Sequence, residues 1–336
     1  MSITEKLESA IKTGEKVTIN LNEASALTGS GSGIGGRVLF DDAFAALRYA
    51  NPFRQAARII PAAGQSDVLF AAKTGNATNQ TNPWGYGVNN NVGSPDVSTV
   101  IWQLPVRCIN AVLPVRTAAL DDINALQETL LKDIALELSQ QEAASMATNN
   151  DQSGSTTLTT GATNGLRGLD SYPGGTVSAY GSSGTSITNG IHTIATVNPS
   201  STLDYSDVVN MTTALPGQYW SLPGTAWYIS PDMINTLRAL HDTSGLPVFL
   251  EVGDEDGAAV GRMFGWPVIP CPYLSSAYPI YLANWPEFLT IADNQEISIQ
   301  MFEQTAPGFV TIWAEKRVAS SVRDPFAGVR MAAVSA

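Results

Sequence analysis

The sequence predicts an α+β fold whose body carries extensions with no core of their own. Three observations predict it. Residues 118–148 hold an apolar stripe at helical spacing (Ile123, Leu126, Leu130, Leu131, Ile134 and Leu138), with no Gly or Pro to interrupt it. The end of the chain reads as strands: IYLANW, FLTIAD, ISIQMF and FVTIWAEKRVAS. An N-terminal arm and a long Asn-rich excursion precede the helix, and neither has the apolar content to stand alone.

Composition sets the bounds. The 336 residues are 44% hydrophobic, enough for one large or two medium domains. Charged residues are only 14%, against roughly 25% in ordinary globular chains. Lys plus Arg is 18 and Asp plus Glu is 30, a net charge of −12. Such a chain is a poor nucleic-acid binder, because phosphate affinity comes mainly from Lys and Arg. Seven Trp and the apolar content exclude disorder over the whole chain. Two cysteines, Cys108 and Cys271, make no disulfide framework and point to a reducing, intracellular setting. The start, MSITEKLESAIKTGEK, lacks the apolar core and cleavage site of a secretory signal. No window reaches the ~18 apolar residues of a spanning helix. A soluble product with no membrane association, cytoplasmic when made, is expected.

In chain order, Ile3, Leu7 and Ile11 predict a short helix closed by Gly14, and Val17 to Asn22 alternates like a strand. TGSGSGIGG is flexible. Asp41 and Asp42 then open a helix that stops at Asn51-Pro52, since the residue before Pro avoids helical backbone. Residues 1–60 thus read as an arm. Residues 64–115 read as a β-excursion: Ser66 to Ala71 leaves, and Val100, Trp102, Leu104, Val106 and Cys108 share the apolar face of the returning strand. The stretch between holds six Asn and four Gly, with Lys73 and Asp96 its only charges. The helix at 118–148 would span roughly 45 Å. From 151 to 200, 27 of 50 residues are Gly, Ser or Thr, yet Leu166, Leu169, Tyr172, Ile191 and Ile194 still need burial. Helices follow at 205–215 and 231–242, the second with Ser230 as N-cap and Pro231 at its first position. There is no internal repeat.

Each motif that could carry chemistry has a plainer structural explanation. Gly31-x-Gly33-x-x-Gly36 matches a dinucleotide fingerprint, but the strand ends nine residues early and no acid lies between 43 and 66. Asp254-Glu255-Asp256-Gly257 lacks the spaced ligands and final Glu of a calcium loop and reads as a solvated turn. His241 suits a helix C-terminus, Asp121-Asp122 a helix start, and Cys108 a core thiol. His192 and His241 are too few for a histidine-rich metal site, and no G-x-S-x-G exists. No catalytic residue, cofactor or metal ligand is assigned. Trp102, Trp227, Trp266 and Trp313 read as core.

The remaining signal is contact. Arg37, Arg48, Arg54 and Arg58 make the arm locally basic, for acidic neighbouring subunits first and packaged nucleic acid second. Trp84, with Tyr86 nearby, stands at the tip of the excursion, where an exposed aromatic calls for a partner. Lys73 joins them as an intersubunit candidate. Extensions of this kind gain stability by packing onto copies of themselves.

That order of elements resembles the major capsid proteins of tailed bacteriophages, whose fold is named after phage Hong Kong 97. The likeness runs from about Asn51 to Val329. VLPVRTAALDD leading into 118–148 is similar to the family's strand and spine helix, and QEAASMATNNDQSG followed by TNGLRGLDSY to its exit into the axial domain. TAWYISPDMINTLRALHDTSGLPVF, FGWPVIPCPYL, IYLANWPEFLTIAD and EKRVASSVRDPFAGVRM resemble later strands and the strand–helix–"D-x-x-G" segment. Asn284-Trp285-Pro286-Glu287-Phe288 stands where Gly-Asp is more usual.

The resemblance implies an arm at 1–60 and an extended loop (β-hairpin) at 64–105. It implies a peripheral domain at 106–150 and 281–318, built on the spine helix, and an axial domain at 151–280 and 319–336. It further implies hexamers and pentamers tiling an icosahedral shell in the virion around double-stranded DNA, without sequence-specific DNA binding. A portal and decoration proteins would be partners, and assembly would take place in the host cytoplasm. Many relatives begin with a cleavable scaffolding segment; the short arm after Met1 predicts a separate scaffold protein or none. Some relatives join a loop Lys to a neighbour's Asn. Lys73 is the loop's only Lys and Asn294 the only Asn beyond 284, with no assignable catalytic acid, so no such crosslink is expected. Two alternatives stand beside this reading: an encapsulin-type nanocompartment shell, which shares the fold, and a monomeric β-rich hydrolase or glycan-binding protein.

Overall fold

The structure, a computed structural model, describes residues 50–64, 67–76, 97–116, 126–149, 165–175, 187–188, 191–199, 202–242, 244–250, 260–306 and 309–333. The expected elements at 3–11, 17–22 and 41–49, the glycine motif at 31–36, Asp121-Asp122 and the acidic turn at 254–257 lie outside them.

Two sheets organise the chain. The first has four strands, in the order β1 (Arg58–Pro61), β14 (Leu289–Ala306), β15 (Phe309–Val322) and β4 (Arg107–Arg116). β1 runs parallel to β14, and the other pairings are antiparallel. The second sheet has eight strands. Its order is β10 (Phe249–Leu250), β11 (Gly261–Met263), β12 (Trp266–Pro270), β9 (Thr225–Ile229), β13 (Ile280–Asn284), β16 (Gly328–Met331), β8 (Ile194–Val197) and β5 (Gly174–Gly175). β9 and β13 are buried at every position, as strands covered on both faces must be. Helices α3 (Tyr205–Ala214) and α4 (Pro231–Arg238) flank this sheet, and short strands β6 (Ile187–Thr188) and β7 (Ile191–His192) pair apart from it. β13 lies in the eight-stranded sheet and β14 in the four-stranded one, so the chain passes between the sheets at Trp285–Phe288. The return falls after Val322.

The long helix α2 (Leu126–Thr148) has 23 residues, about 34 Å; the expected start at 118–125 lies outside the described residues. It serves both cores. Ile134 and Leu138 pack on Ile312 and Ala314 of the four-stranded sheet. Two turns on, Ala143, Met146 and Ala147 enter the main core with Trp227, Tyr228 and Trp285. Leu166, Leu169, Tyr172 and Ile194 are buried as expected.

Several expectations are corrected. FLTIAD and ISIQMF are one strand, β14, bent by register shifts between Asp293, Gln295 and Ser298. The excursion's return also differs: β3 (Val97–Pro105) pairs with β2 (Asp67–Asn76), Val106 falls outside both ladders, and β4 then joins β15. β4 takes its register from β15 instead of continuing that of β3. Ile109, Ala111, Leu113 and Val115 point to α2, and Cys108 is exposed rather than a core thiol. Trp313 lies opposite Val112, which is exposed on the sheet's outer face, and is half-buried; Trp266 is also half-buried. Only Trp227 of the expected core tryptophans is shown fully buried, while the side chain of Trp102 lies outside the described residues. Trp285, not singled out from sequence, is fully buried. α4 ends at Arg238, not 242, and Ser230 makes no side-chain cap bond although Pro231 opens the helix. His241 follows the helix, exposed, with Nδ1 2.7 Å from the Ala239 carbonyl.

Candidate functional site

The segment Asn51–Ala62 is tied to α2 and to both large sheets. Asn51 Oδ1 accepts the Phe53 amide at 2.9 Å, so Asn-Pro starts a new turn, α1 (Phe53–Ala56), besides ending what precedes it. The Asn51 amide donates to Ser139 Oγ of α2, and the Tyr228 hydroxyl donates to the Pro52 carbonyl. Phe53 is fully buried, stacked on Tyr228 with ring centroids 5.8 Å apart and tilted against Trp285 at 5.6 Å. β1 then adds a strand beside β14, and the Ala62 amide donates to the Asp293 carbonyl.

Arg54 anchors the same segment electrostatically. Its Nε donates to Glu142 Oε1 at 2.7 Å, and its two terminal nitrogens grip both Asp293 oxygens at 2.8 and 2.6 Å. Glu142, fully buried, also accepts from Lys316 Nζ. Burial alone would lower the Arg54 pKa, but Asp293 and Glu142 outweigh it and hold it raised. Burial likewise pushes the Asp293 carboxyl up, and Arg54 overrides it, holding it below the usual carboxylate range. The 51–62 segment, the long helix and two strands thus share one charge network with Glu142 at its buried centre. Its key residue was missed from sequence. Ile134, Leu138, Glu142 and Met146 follow at steps of four, so a carboxylate interrupts a buried stripe; that placement was the available signal.

Of the sequence-derived contact candidates, Arg54 spends its guanidinium inside the chain. Arg58 is exposed at the start of β1. Lys73 lies on β2 opposite Thr99. Arg37, Arg48, Trp84 and Tyr86 lie outside the described residues.

Hairpin β2–β3 leaves the same root. It forms a two-stranded sheet joined to neither large sheet, and its base is held where Val68 and Val106 pack on Ala62, Ala292 and Ala319. An isolated two-stranded ribbon is marginal in water. The four-stranded sheet in turn leaves apolar surface uncovered beyond α2. Ile299 and Met301 on one face, and Val112 and Phe302 on the other, are 37–55% exposed.

Reactive groups are sparse. Among the described residues no three His, Cys, Asp or Glu side chains converge as a metal site, and no helix is long and apolar enough to cross a membrane. Burial pushes the Cys271 thiol up to about 12. A cleft of about 360 Å³ beside Met331 and Ala332 offers one carboxylate, Asp232, and the Ser230 and Ser276 hydroxyls.

The sequence matches the profile of the Phage capsid family over residues 40–331. No curated protein matches it at a significant level. Among solved structures, the capsid of a native GTA particle, computed with C5 symmetry, aligns with a TM-score of 0.64 at 17% identity, covering 93% of this chain and 97% of that one. A structure from Gordonia phage Cozz aligns at 0.52 and 13% identity, covering 85% and 87%. The asymmetric unit of the bacteriophage PhiM1 mature capsid aligns at 0.54 and 9%, covering 93% and 98%. At these identities the likeness is one of fold: mixed helix and sheet, shared over most of each chain.

Proposed function

The chain belongs to the phage capsid family, and from that premise we propose that it is the major head protein of a tailed double-stranded DNA bacteriophage. It assembles from hexamers and pentamers into an icosahedral shell, catalyses no reaction, and encloses DNA without reading its sequence. The observation that carries this is hairpin β2–β3, a ribbon that joins neither large sheet and whose described packing lies at its base. Such a ribbon becomes stable by lying on a second copy, and the uncovered apolar surface of the four-stranded sheet supplies a seat of the right character. Many weak contacts between identical copies then sum to a stable shell.

Within the subunit, the four-stranded sheet and α2 form the peripheral domain and the eight-stranded sheet the axial domain. Strand membership supports boundaries at 285 and 322. Lys73, Arg58, Trp84, Tyr86, Arg37 and Arg48 remain the contact candidates; Arg54 acts by fixing the arm's root. A portal is the further partner, met in the host cytoplasm.

Deleting residues 74–96 tests the reading. The expected subunit is soluble and folded by circular dichroism, yet makes no particles in negative stain. Normal shells from the deletion, or an unfolded subunit, refute the assignment. Removing residues 1–36 is expected to impair assembly more than folding. Nuclease-protected DNA in wild-type particles supports a phage head, whereas a co-purifying enzyme cargo supports the nanocompartment alternative.

A further inference from the structure

Thr290 of β14 is fully buried, and its hydroxyl is the one buried side-chain oxygen or nitrogen among the described residues without a hydrogen-bond partner. Leaving such a group unpaired is costly, and native proteins usually meet it with an ordered water or another polar group. Thr290 sits directly opposite Ser321 of β15 in the antiparallel ladder. Residues so opposed share a face, with Cβ atoms about 4.5–5.5 Å apart. A gap of that order between two hydroxyls that do not bond directly fits one bridging water. Arg58, opposite Thr290 on the β1 side, is exposed.

A third hydroxyl reaches the same place from another element. Tyr172 is buried in the segment that follows α2, and its hydroxyl lies 3.3 Å from Ser321 Oγ. The Tyr172 hydroxyl accepts the Val322 amide at 2.9 Å, and Ser321 Oγ donates to the Val322 carbonyl at 3.2 Å. With the Ser321 hydrogen spent there, the Tyr172 hydroxyl donates to Ser321. Each hydroxyl carries one hydrogen and two lone pairs. Ser321 and Tyr172 therefore keep one open lone pair each, and Thr290 keeps its hydrogen. A water that accepts from Thr290 and donates to the other two completes all of them, with the roughly three hydrogen bonds that buried waters make. The groups are neutral, which suits water rather than an ion.

We propose that Thr290, Ser321 and Tyr172 hold one buried water, which ties the segment after α2 to the four-stranded sheet beside Val322, where the chain leaves that sheet. The neighbouring residue fastens the same segment directly, since Ser320 Oγ donates to the Arg167 carbonyl at 3.3 Å. The site belongs to the single subunit and does not depend on the shell reading.

The test uses the unassembled subunit. Thr290→Val exchanges the hydroxyl for a methyl of similar size. With the water in place the variant loses an anchor, and its melting temperature is expected to fall by about 2–4 °C. A hydroxyl that holds nothing predicts an unchanged or higher value. Ser321→Ala is expected to lower the melting temperature less in Thr290→Val than in wild type, because both changes disrupt one site. An unchanged or raised melting temperature in Thr290→Val, or fully additive losses, overturns the proposal. An experimental density map of the wild-type subunit reads the site directly, whatever the variants do. A peak within hydrogen-bond distance of all three oxygens supports the water; a map that resolves other buried waters but none there refutes it.

Discussion

At the scale of single residues, Glu142 carries the most weight. It is fully buried and pairs with both Arg54 and Lys316. Glu142→Gln keeps the shape and removes the charge, leaving two cations without their shared anion. Removing one member of a buried pair costs about 3–5 kcal/mol, so the urea midpoint of the subunit should fall accordingly. Asp293 gives the network its pH dependence. Its folded pKa lies below the unfolded value, so its contribution is present above about pH 4 and is lost as pH falls through the folded pKa. Asp293→Asn is therefore expected to destabilise at pH 7, with the gap to wild type closing in acid unfolding curves below about pH 4. The thiols offer a third check. A thiol reagent at mildly alkaline pH should label Cys108 in the unassembled native subunit, and Cys271 only in denaturant. From sequence Cys108 reads as a core thiol; it is exposed because β4 takes its register from β15, and pairing is a long-range property that local alternation does not carry.

At the scale of elements, local patterning was legible wherever one face met one core. The helix at 205–214 shows its cap in sequence: Asp204 and Asp207 form a reciprocal capping box. The turn after α4 is also readable, because Asp242 accepts the Ser244 and Leu246 amides while Gly245 takes φ +80°. α2 was legible as a helix but not as a part of two cores, since its stripe changes partners at Glu142. β14 was read as two strands because its bulges break the alternation that sequence reading relies on. Gly168 shows a constraint that no pattern reveals. A Cβ there would come within 2.5–2.6 Å of the Asn149 backbone at the end of α2. Gly168→Ala must push the 165–172 segment off the helix end, at about 1–3 kcal/mol by thermal or chemical denaturation.

At the scale of the whole molecule, the order of elements carried the family, while the composition set only what the chain is not. The uncovered face of the four-stranded sheet was not legible, because it depends on where α2 packs. The absence of a Lys73–Asn294 crosslink is testable here: assembled particles boiled in reducing detergent should run as single chains. Asn294 already donates its side-chain amide to the Ala62 carbonyl, which supports that outcome. The root at 51–62 has a consequence of its own. The preceding chain and hairpin β2–β3 leave opposite ends of one dozen-residue clasp, gripped by Phe53 on one side and Arg54 on the other. In the proposed shell, a pull by a neighbour on either limb would be borne at that clasp, so neighbours holding different limbs of one subunit would be joined through a handful of side chains.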